Sequence, residues 1–438
     1  MPNEQARSTN PPLYRWYVLA LLLTINTFSY ADRHLFSILI PAIKAEFGAS
    51  DALLGLVAGP GFIVSYVVFT MPLARAADRW SRRGVLALAA TLWSAASAAC
   101  GAAGNMLQLA AARFVVGVGE AGGFPPSQSL VAELFDDRMR SRALGVLTSG
   151  TYFGLMLGML GGAAIAGTWG WRAAFFALAV PALPLALLLW LTGPRRAAPV
   201  AGAVPAGGSI MATVRACWSI RSLRLLAIGV GVFNIFGYAG AIWMPAYFMR
   251  SHGMSLVEAG AWLSMGAAGG GILGSLASGW QVDRLRPRGE HWQLRVPAIA
   301  FFLSFPLLVL MFLLPGGSGF ALGNQSIPLV APLSVLTGFL AALWAAPSFG
   351  AAAQLVRPDQ RAQATAMLVV IINLIGSAFG PVAAGIVSDL FDARFGREAL
   401  RYSLLLMSVL ALAGGWLFWR AAASYPADLH RAGRQMSD

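Results

Sequence analysis

Long runs of apolar residues alternate with short polar segments along the whole chain. Each run is long enough to cross a bilayer as a helix, which takes about 20 residues. Reading these runs against the charged and Pro/Gly-rich breaks between them predicts twelve membrane-spanning helices. They cover residues 16–43, 51–77, 84–103, 106–132, 141–168, 172–193, 222–250, 256–281, 295–315, 328–355, 361–390 and 398–421. The pattern therefore predicts an all-α polytopic membrane protein.

A single long polar break, residues 192–219, divides the predicted helices into two sets of six. It predicts an N-terminal six-helix bundle over 1–193, a cytoplasmic linker over 194–219 and a C-terminal six-helix bundle over 220–438. The loop after the second helix of each half contains an Asp-Arg pair, and the two aspartates are 205 residues apart in the numbering. Two parallel repeats of this kind are typical of a transporter whose binding site lies where the repeats meet.

Composition and charge support a membrane protein and exclude a nucleic-acid partner. Only 11% of the residues are charged, whereas a soluble protein has about 25%. The net charge of +13 comes from basic residues in short loops and at the termini, which is how membrane topology is encoded.

With the N-terminus in the cytoplasm, 23 of the 31 basic residues lie on the cytoplasmic side. Arg33 and Arg113 lie inside helices. The remaining six lie outside: Lys44, Arg172, Arg250, Arg394, Arg397 and Arg401. This bias predicts that both termini are cytoplasmic.

Several other classes of protein are excluded. The first apolar run is too long for a cleaved signal peptide, so we interpret it as a retained first helix. Cys100 and Cys217 cannot form a disulfide framework and have no metal-ligand spacing. An enzyme would need a nucleophile–base pair or a metal cluster, and an ATP-driven pump would need a phosphate-binding loop. The sequence contains neither pattern, so we predict no enzymatic activity and no cofactor other than a coupling proton.

Charged side chains inside two predicted helices are the strongest functional signal. Asp32 and Arg33 lie in the first helix, and Arg113 and Glu120 share one face of the fourth because they are seven residues apart. A charge at this depth costs at least about 2.5–3.5 kcal/mol on insertion scales, so it marks a partner or a pathway. Burial favours the neutral form of a carboxyl group and a nearby arginine favours the charged form. A mobile arginine would thus link protonation to conformation.

We therefore predict that Asp32 and Glu120 exchange the coupling proton. Arg33 and Arg113 would stabilise the ionised acids or bind an anionic head group. Two structural alternatives stay open. Asp32 and Arg33 could neutralise each other within the first helix, or the four residues could form a buried salt bridge between helices 1 and 4.

The second half has no ionisable residue deep in a helix, and its candidates for substrate binding are polar or aromatic. They are Asn234, Tyr238, Trp344 and Asn373. The asymmetry suits an amphipathic solute, with its head group on the charged first half and its apolar part on the second. Ordinary packing is the alternative for each of these residues.

The chain resembles the major facilitator superfamily in several motifs. The loop signature G-x-L-A-D-R-x-G-R-R of that family is matched by Asp78, Arg79, Arg82 and Arg83, with departures at Ala74, Ala76 and Ser81. The second half keeps Gly279, Asp283 and Arg284, and the fourth helix keeps Arg113, Gly117 and Gly119. The resemblance implies a conformational latch on the cytoplasmic face that favours the state closed to the inside. Its residues would be Asp78, Arg79, Arg82, Asp283 and Arg284.

Within that superfamily, four stretches resemble the Spinster subfamily. They are Tyr30-Ala31-Asp32-Arg33, the Ser50-Asp51 entry to the second helix, Gly117-Val118-Gly119-Glu120-Ala121 with Pro125, and Trp171-Arg172. Animal Spinster proteins carry sphingosine phosphate or lysophospholipids, often with proton coupling. The resemblance therefore implies a proton-coupled secondary transporter that moves an amphipathic lipid-like solute by alternating access. It would act as one chain in a bacterial inner membrane. The alternatives are a proton-coupled symporter of small organic anions such as sugar acids, and an uncoupled or drug exporter.

Overall fold

The computed structural model describes residues 11–194, 215, 217–322, 325–357 and 360–437. Contacts between residues divide the chain into two compact units. Unit 1 comprises Met1–Ala49 and Pro60–Gly202, and unit 2 comprises Ser50–Gly59 and Ala203–Asp438. Most of the predicted linker, 194–219, lies outside the described residues, so the predicted domain boundaries stay predictions.

Unit 1 contains seven of the α-helices that the structure describes, joined by short turns. They are α1 (Pro12–Phe47), α3 (Pro60–Arg79), α4 (Arg82–Ala102), α5 (Met106–Ala121), α6 (Phe124–Leu134), α7 (Asp137–Met156) and α8 (Gly162–Thr192). The helix α2 (Asp51–Ala58) precedes α3 in the chain but belongs to unit 2.

Polar caps and glycines set the ends of several helices. The side chains of Ser81, Asn105 and Asp136 each accept a hydrogen bond from the backbone N–H three residues further on. Such caps satisfy donors that the first turn of a helix leaves without partners. The helix α1 ends at Gly48, which has φ 63°. A side chain at that φ is strained, so glycine is suited to this end.

Unit 2 adds a second set of helices and a small β-hairpin. Its elements after α2 are α9 (Arg221–His252), α10 (Leu256–Ser264), α11 (Gly271–Leu285), α12 (Trp292–Leu313), β1 (Gly319–Leu322), β2 (Gln325–Pro328), α13 (Val330–Ala342), α14 (Ala345–Gln354), α15 (Arg361–Ile371), α16 (Ala378–Phe395) and α17 (Ala399–Ser437). The two strands are antiparallel, with Phe320 opposite Ile327. The sequence pattern did not predict this hairpin, because four-residue strands are too short to show a period.

Corresponding helices of the two sequence halves are interrupted in similar ways. The fourth helix of each half breaks, at residues 122–123 between α5 and α6 and at residues 343–344 between α13 and α14. The fifth helix of each half contains a π-helical segment, Leu157–Gly161 or Ile372–Ser377. A π-helical segment widens the helix locally and removes regular hydrogen bonds. The shared irregularities agree with the internal repeat seen in the Asp-Arg loops.

Eight stretches of the described residues are long and apolar enough to span a membrane, so the count of twelve is not reproduced as such. Two of the eight, Arg142–Thr192 and Gln363–Ala432, contain 51 and 70 residues and join neighbouring predicted helices. In the first of these, Gly170 interrupts the helix with φ 84°, within the predicted break at 169–171. The helices α1 and α5 fall outside the eight. The charged residues Asp32 and Arg33 lower the hydropathy of α1, and α5 is only 16 residues long.

Glycines on α7 allow it to pack directly on the backbone of α1. A β-carbon added at Gly154 would lie 2.6 Å from the backbone oxygen of Thr27 and 2.6 Å from the β-carbon of Tyr30. Gly150 meets Asn26 and Leu23 in the same way, one turn along. Small residues at such spacing let two helices approach closely within a membrane.

The substitution Gly154→Ala is expected to lower the midpoint of thermal unfolding of the purified protein in detergent. The added methyl group would force α7 away from α1, and overpacking of this kind costs about 1–3 kcal/mol. Gly145→Ala on the same helix is the matched control, because an added β-carbon there has no atom within 4 Å. Equal midpoints for the two variants would contradict close packing at Gly154.

Candidate functional site

Asp32 and Arg113 form a buried ion pair between α1 and α5. The Arg113 guanidinium donates a hydrogen bond of 2.5 Å from Nη1 to Asp32 Oδ2. The Ser97 hydroxyl on α4 donates to the other carboxylate oxygen, Oδ1. Asp32 is fully buried and Arg113 is 2% exposed. Three helices of unit 1 therefore converge on the Asp32 carboxylate.

Arg33, the next residue along α1, pairs with a different acid. Its Nε donates to Oε2 of Glu120 on α5. The guanidinium carbon lies 4.8 Å from the ring centre of Tyr30, 5.0 Å from that of Phe62 and 4.8 Å from that of Tyr66. Aromatic faces attract a cation, more strongly where water is excluded. This aromatic cage and the Glu120 carboxylate hold Arg33 between them.

Both ion pairs join α1 to α5, so Asp32 and Arg33 do not neutralise each other within α1. Neighbouring residues on a helix point about 100° apart, and Asp32 and Arg33 each meet a partner on α5. Buried ion pairs between helices 1 and 4 are present, as the structural alternative requires. They do not by themselves argue for a structural role, because a buried ion pair often contributes little net stability.

The network is incompletely satisfied in the part of the chain that the structure describes. Glu120 Oε1 and Arg113 Nε are buried without a hydrogen-bond partner. An unpaired polar atom in a buried network costs free energy, and a network built only for stability would be expected to satisfy all its members. Two unpaired atoms beside two ion pairs leave room for an exchange of partners.

Sequence reasoning missed the residues that support the four charges. Ser97 is one of many serines in apolar helices, and nothing in its local sequence marks it as a partner of Asp32. Tyr30, Phe62 and Tyr66 look like ordinary aromatic packing residues. The available signal was Tyr30, three residues before Arg33 and hence on the same side of α1.

The four candidate residues of unit 2 make contacts that fit packing as well as binding. Asn234 is buried and donates to the Val230 carbonyl on its own helix. Asn373 is partly buried and donates to the Val369 carbonyl. Asn234 and Tyr238 both lie against Gly376 in the π-helical segment that contains Asn373. These three residues therefore lie near one another.

Trp344 lies at the break between α13 and α14 and is partly buried. Its ring is 6.3 Å from that of Phe349. It packs against the same apolar core cluster as Tyr238.

The predicted latch residues lie at the ends of helices on the predicted cytoplasmic side. Asp78 accepts hydrogen bonds of 3.2 and 3.0 Å from Arg82, four residues further on. Arg82 also pairs with Glu133 at the end of α6. Arg79, Asp283 and Arg284 are exposed, and the Arg284 guanidinium lies 5.4 Å from the Trp280 ring centre.

A second charged cluster, in unit 2, was not predicted as a site. Arg250 at the end of α9 donates two hydrogen bonds to the Asp51 carboxylate, at 2.7 and 2.9 Å. Ser388 also donates to Asp51, and the Asp389 carboxylate accepts from the backbone N–H groups of Asp51 and Ala52. The signal in the sequence was an acid and a base at the outer ends of two predicted helices. The cluster fixes α2 against α9 and α16.

The described residues contain no group of three or more His, Cys, Asp or Glu side chains placed to hold an ion. The site in unit 1 is instead a cluster of two acids, two arginines and three aromatic rings.

Comparisons with known proteins agree with this architecture. The family model of the Major Facilitator Superfamily matches residues 22–322. The chain is 32% identical over 423 residues to a protein of Mycolicibacterium smegmatis described as an MFS-type efflux pump, and the alignment covers 95% of each chain. A probable galactarate/D-glucarate transporter of Bacillus subtilis is 26% identical over 329 residues, which cover 67% of this chain and 71% of the other.

A solved structure is similar over almost the whole chain. It is the crystal structure of a bacterial homologue of the human lysosomal transporter Spinster, in an inward-facing and unoccupied conformation. The TM-score is 0.83 at 25% sequence identity, and the match covers 96% of this chain and 99% of that one.

The chain belongs to the major facilitator superfamily of membrane transporters. The predicted fold class and the similarity to bacterial Spinster proteins are thereby confirmed. The relatives and the fold are those of transporters, not of enzymes.

Proposed function

We propose that this transporter is proton-coupled and moves an amphipathic, lipid-like solute by alternating access. The observation that carries the proposal is that two ion pairs, Asp32–Arg113 and Arg33–Glu120, join α1 to α5 in unit 1. One carboxylate oxygen of Glu120 has no hydrogen-bond partner among the described residues. A carboxylate in contact with a single arginine can change its protonation state when that arginine moves. The proton would thus act as the coupling ion, without another cofactor.

The geometry suggests how a proton and an anion could compete for the same arginines. A proton on Glu120 removes the negative charge that attracts the Arg33 guanidinium. Arg33 then becomes available for an anionic group of the solute, such as a phosphate, to which a guanidinium can donate two parallel hydrogen bonds. Arg113, engaged by Asp32 through Nη1, is the second arginine of the same cluster. Binding of the proton and of the anion are therefore expected to be linked.

An amphipathic solute fits the distribution of polar residues between the halves. The four ionisable candidates Asp32, Arg33, Arg113 and Glu120 lie in unit 1. The candidates of unit 2, Asn234, Tyr238, Trp344 and Asn373, are uncharged, and Tyr238 and Trp344 pack against an apolar core cluster. The similarity to a bacterial homologue of Spinster adds support for a lipid-like solute such as a lysophospholipid or sphingosine phosphate.

Small organic anions are the second candidate class. The buried Arg113 and the partly buried Arg33 would also suit a carboxylate, and one relative is described as a probable galactarate/D-glucarate transporter. A drug exporter is the third candidate, because the relative from Mycolicibacterium smegmatis is described as an efflux pump. Protonation of Glu120 would serve each of these as the coupling step, except an uncoupled exporter.

The test uses the purified full-length chain in liposomes with an imposed pH gradient. One set of liposomes contains a labelled lysophospholipid as the probe, and a second contains galactarate. Movement of each probe is followed with the gradient and after the gradient has been collapsed by a protonophore. Liposomes without protein correct for passive flipping and leakage.

The two probes and the two gradient conditions separate the candidates. Gradient-dependent movement of the lysophospholipid alone supports the proposal. Movement of galactarate alone would instead indicate that the substrates are small organic anions. Movement of either probe at the same rate with and without the gradient would overturn proton coupling.

We propose that the chain lies in a bacterial inner membrane with both termini in the cytoplasm, as the distribution of basic residues predicts, and that it acts as one chain. We also propose that Asp78, Arg79 and Arg82, with Asp283 and Arg284, form the latch that favours the state closed to the inside.

The substitution Asp78→Asn is expected to raise the inward-open population. It removes the charge that accepts two hydrogen bonds from Arg82, which weakens the contact of Arg82 with the end of α3 while its pairing with Glu133 remains. Distances between spin labels on the cytoplasmic ends of the two halves, measured by double electron–electron resonance, would show the change. Asp392→Asn, an exposed acid on the opposite side of the predicted topology, is the control. An unchanged distance distribution in Asp78→Asn would contradict the proposed latch.

A further inference from the structure

A small cavity lies inside unit 1, directly beside Glu120. Residues of α1, α4, α5 and α6 line it, among them Asn26, Ser29, Trp93, Glu120 and Ser127. It leaves about 10 Å³ for the centre of a water molecule, which is enough to hold one. Trp93, Glu120 and Ser127 are each almost fully buried, at 1%, 2% and 4% exposure. The cavity is therefore a built feature of the helix packing rather than a surface dip.

The lining of this cavity offers polar partners on more than one side. Glu120 Oε1 is the buried oxygen that has no partner among the described residues. The Ser127 hydroxyl donates to the Gly123 carbonyl at 2.9 Å, which leaves its oxygen free to accept. The Asn26 amide nitrogen donates to the Leu147 carbonyl at 3.1 Å, which leaves its carbonyl oxygen for a further bond. An internal water needs two to four polar partners, and polar groups of this kind line the cavity on α1, α5 and α6.

The cavity extends from Glu120 towards the predicted cytoplasmic ends of its helices. Asn26 precedes Arg33 by seven residues on α1, and Ser127 follows Glu120 by seven residues. Two helical turns correspond to about 10 Å along the axis. Trp93, Ala90 and Leu86 run in the same direction along α4. The polar side chains thus mark a path from the buried acid towards the cytoplasm, within unit 1 itself.

We propose that this cavity is a water site through which Glu120 exchanges its proton with the cytoplasm, an inference that rests on the proposed proton coupling. The proton leaves the Glu120 carboxyl group for the water oxygen, while that water passes one of its own protons to the next water. The last acceptor is bulk water on the cytoplasmic side. Glu120 remains as a carboxylate paired with Arg33. Ser127 and Asn26 position the water and do not change protonation state.

Two of the charged and titratable groups near Glu120, Arg33 and Tyr30 of α1, line the cavity with it. The others are not among the lining residues: Asp32 of α1, Tyr66 of α3 and Arg113 of α5 interact with Glu120, His34 of α1 lies near Arg33, and Cys100 of α4 lies near Arg113. Among the residues that line the cavity, Glu120 is the one carboxyl group, and those from α4 and α6 carry no ionisable side chain. A proton that enters the cavity from the cytoplasm therefore meets Glu120 as its acceptor.

The test is hydrogen–deuterium exchange of the Glu120 carboxyl group, followed by infrared spectroscopy of the full-length protein after rapid transfer to D₂O. The difference between wild type and Glu120→Gln assigns the carboxyl band. Gly123→Ala fills the cavity, and its added β-carbon would meet only the Glu120 backbone carbonyl, at 3.2 Å. Gly145→Ala, where an added β-carbon has no atom within 4 Å, is the matched control. The backbone amide band of each sample reports any general change in protein motion.

We expect exchange of the carboxyl band to be about tenfold slower in Gly123→Ala, since loss of one hydrogen-bonded water raises the barrier by about one hydrogen bond. Ser127→Ala, which removes a partner of the water without filling the cavity, is expected to slow exchange less. Gly145→Ala should match wild type. A reduction confined to the carboxyl band would support the water site.

Two results would overturn the inference, and they differ in what they say of proton coupling. A Glu120 band that responds to pH but exchanges equally fast in wild type, Gly123→Ala and Ser127→Ala would contradict the water path. It would not contradict proton coupling at Glu120. A Glu120 band that shows the same protonation state at every pH at which the protein stays folded would contradict both the water path and proton coupling.

Discussion

The substitution Glu120→Gln is expected to abolish accumulation of solute driven by a pH gradient while leaving exchange of solute across the membrane. Glutamine keeps the size and the hydrogen-bonding carbonyl of the side chain but cannot take up a proton. It also removes the charge that Arg33 contacts, so the variant should resemble the permanently protonated state. We expect gradient-driven uptake to fall by at least about tenfold, because the coupling step itself is lost.

Liposomes that contain the purified variant can separate the two activities. Gradient-driven uptake is measured with an imposed pH difference, and exchange is measured with equal solute on both sides and no gradient. Glu46→Gln is the matched control, because Glu46 is also an ion-paired acid of unit 1 but its side chain is 42% exposed. Removal of an exposed ion pair of this kind costs little, about 0–1 kcal/mol.

Loss of both activities by a folded Glu120→Gln protein would indicate that Glu120 has a structural role in transport and does not act specifically in proton coupling. Retention of both would exclude Glu120 as the coupling acid and leave Asp32 as the remaining candidate of the cluster.

The single substitutions Asp32→Asn and Arg113→Met are each expected to destabilise the protein strongly, and the double substitution should recover much of the loss. Each single change leaves the other residue buried without its ion-pair partner, which costs about 3–5 kcal/mol. Replacing both members of a buried pair with uncharged groups is often neutral or stabilising. The burial of both side chains, at 0% and 2% exposure, makes this pair the best case for such an effect in unit 1.

Thermal unfolding in detergent would measure the three variants, and transport in liposomes would measure their activity. A double variant that regains stability but does not transport would show that the pair serves function. A double variant that regains both would identify the pair as a structural salt bridge. Single variants as stable as wild type would contradict the buried ion pair itself.

The membrane fold could be predicted from the sequence because its determinants are local. An apolar run of about 20 residues must form a helix in lipid, where every backbone polar group needs a partner within its own segment. The family resemblance rested on residues such as Asp78 and Asp283, which lie in loops whose spacing repeats between the halves. Neither argument depends on how the helices pack.

Helix ends and interruptions were less predictable. The predicted fourth helix, 106–132, is two helices, α5 and α6, that meet at Gly122 and Gly123. The predicted fifth helix, 141–168, begins earlier and passes through a π-helical segment. Such breaks depend on packing against neighbouring helices, as where a β-carbon at Gly122 would meet Ala89 at 2.8 Å. The hydrophobic period of a single segment does not contain that information.

The sequence alone identified the four charged residues of the candidate site, because a charge inside an apolar run is costly and hence informative wherever it occurs. Only the tertiary structure decided how they pair. Asp32 and Arg33 are neighbours in the chain, yet each bonds to a residue of α5, more than 80 positions away. The choice of partner, the support from Ser97 and Phe62, and the cavity beside Glu120 all depend on how α1, α3, α4, α5 and α6 pack together. Side-chain directions on separate helices become related only when the helices are in contact, so no pattern along one segment could have determined them.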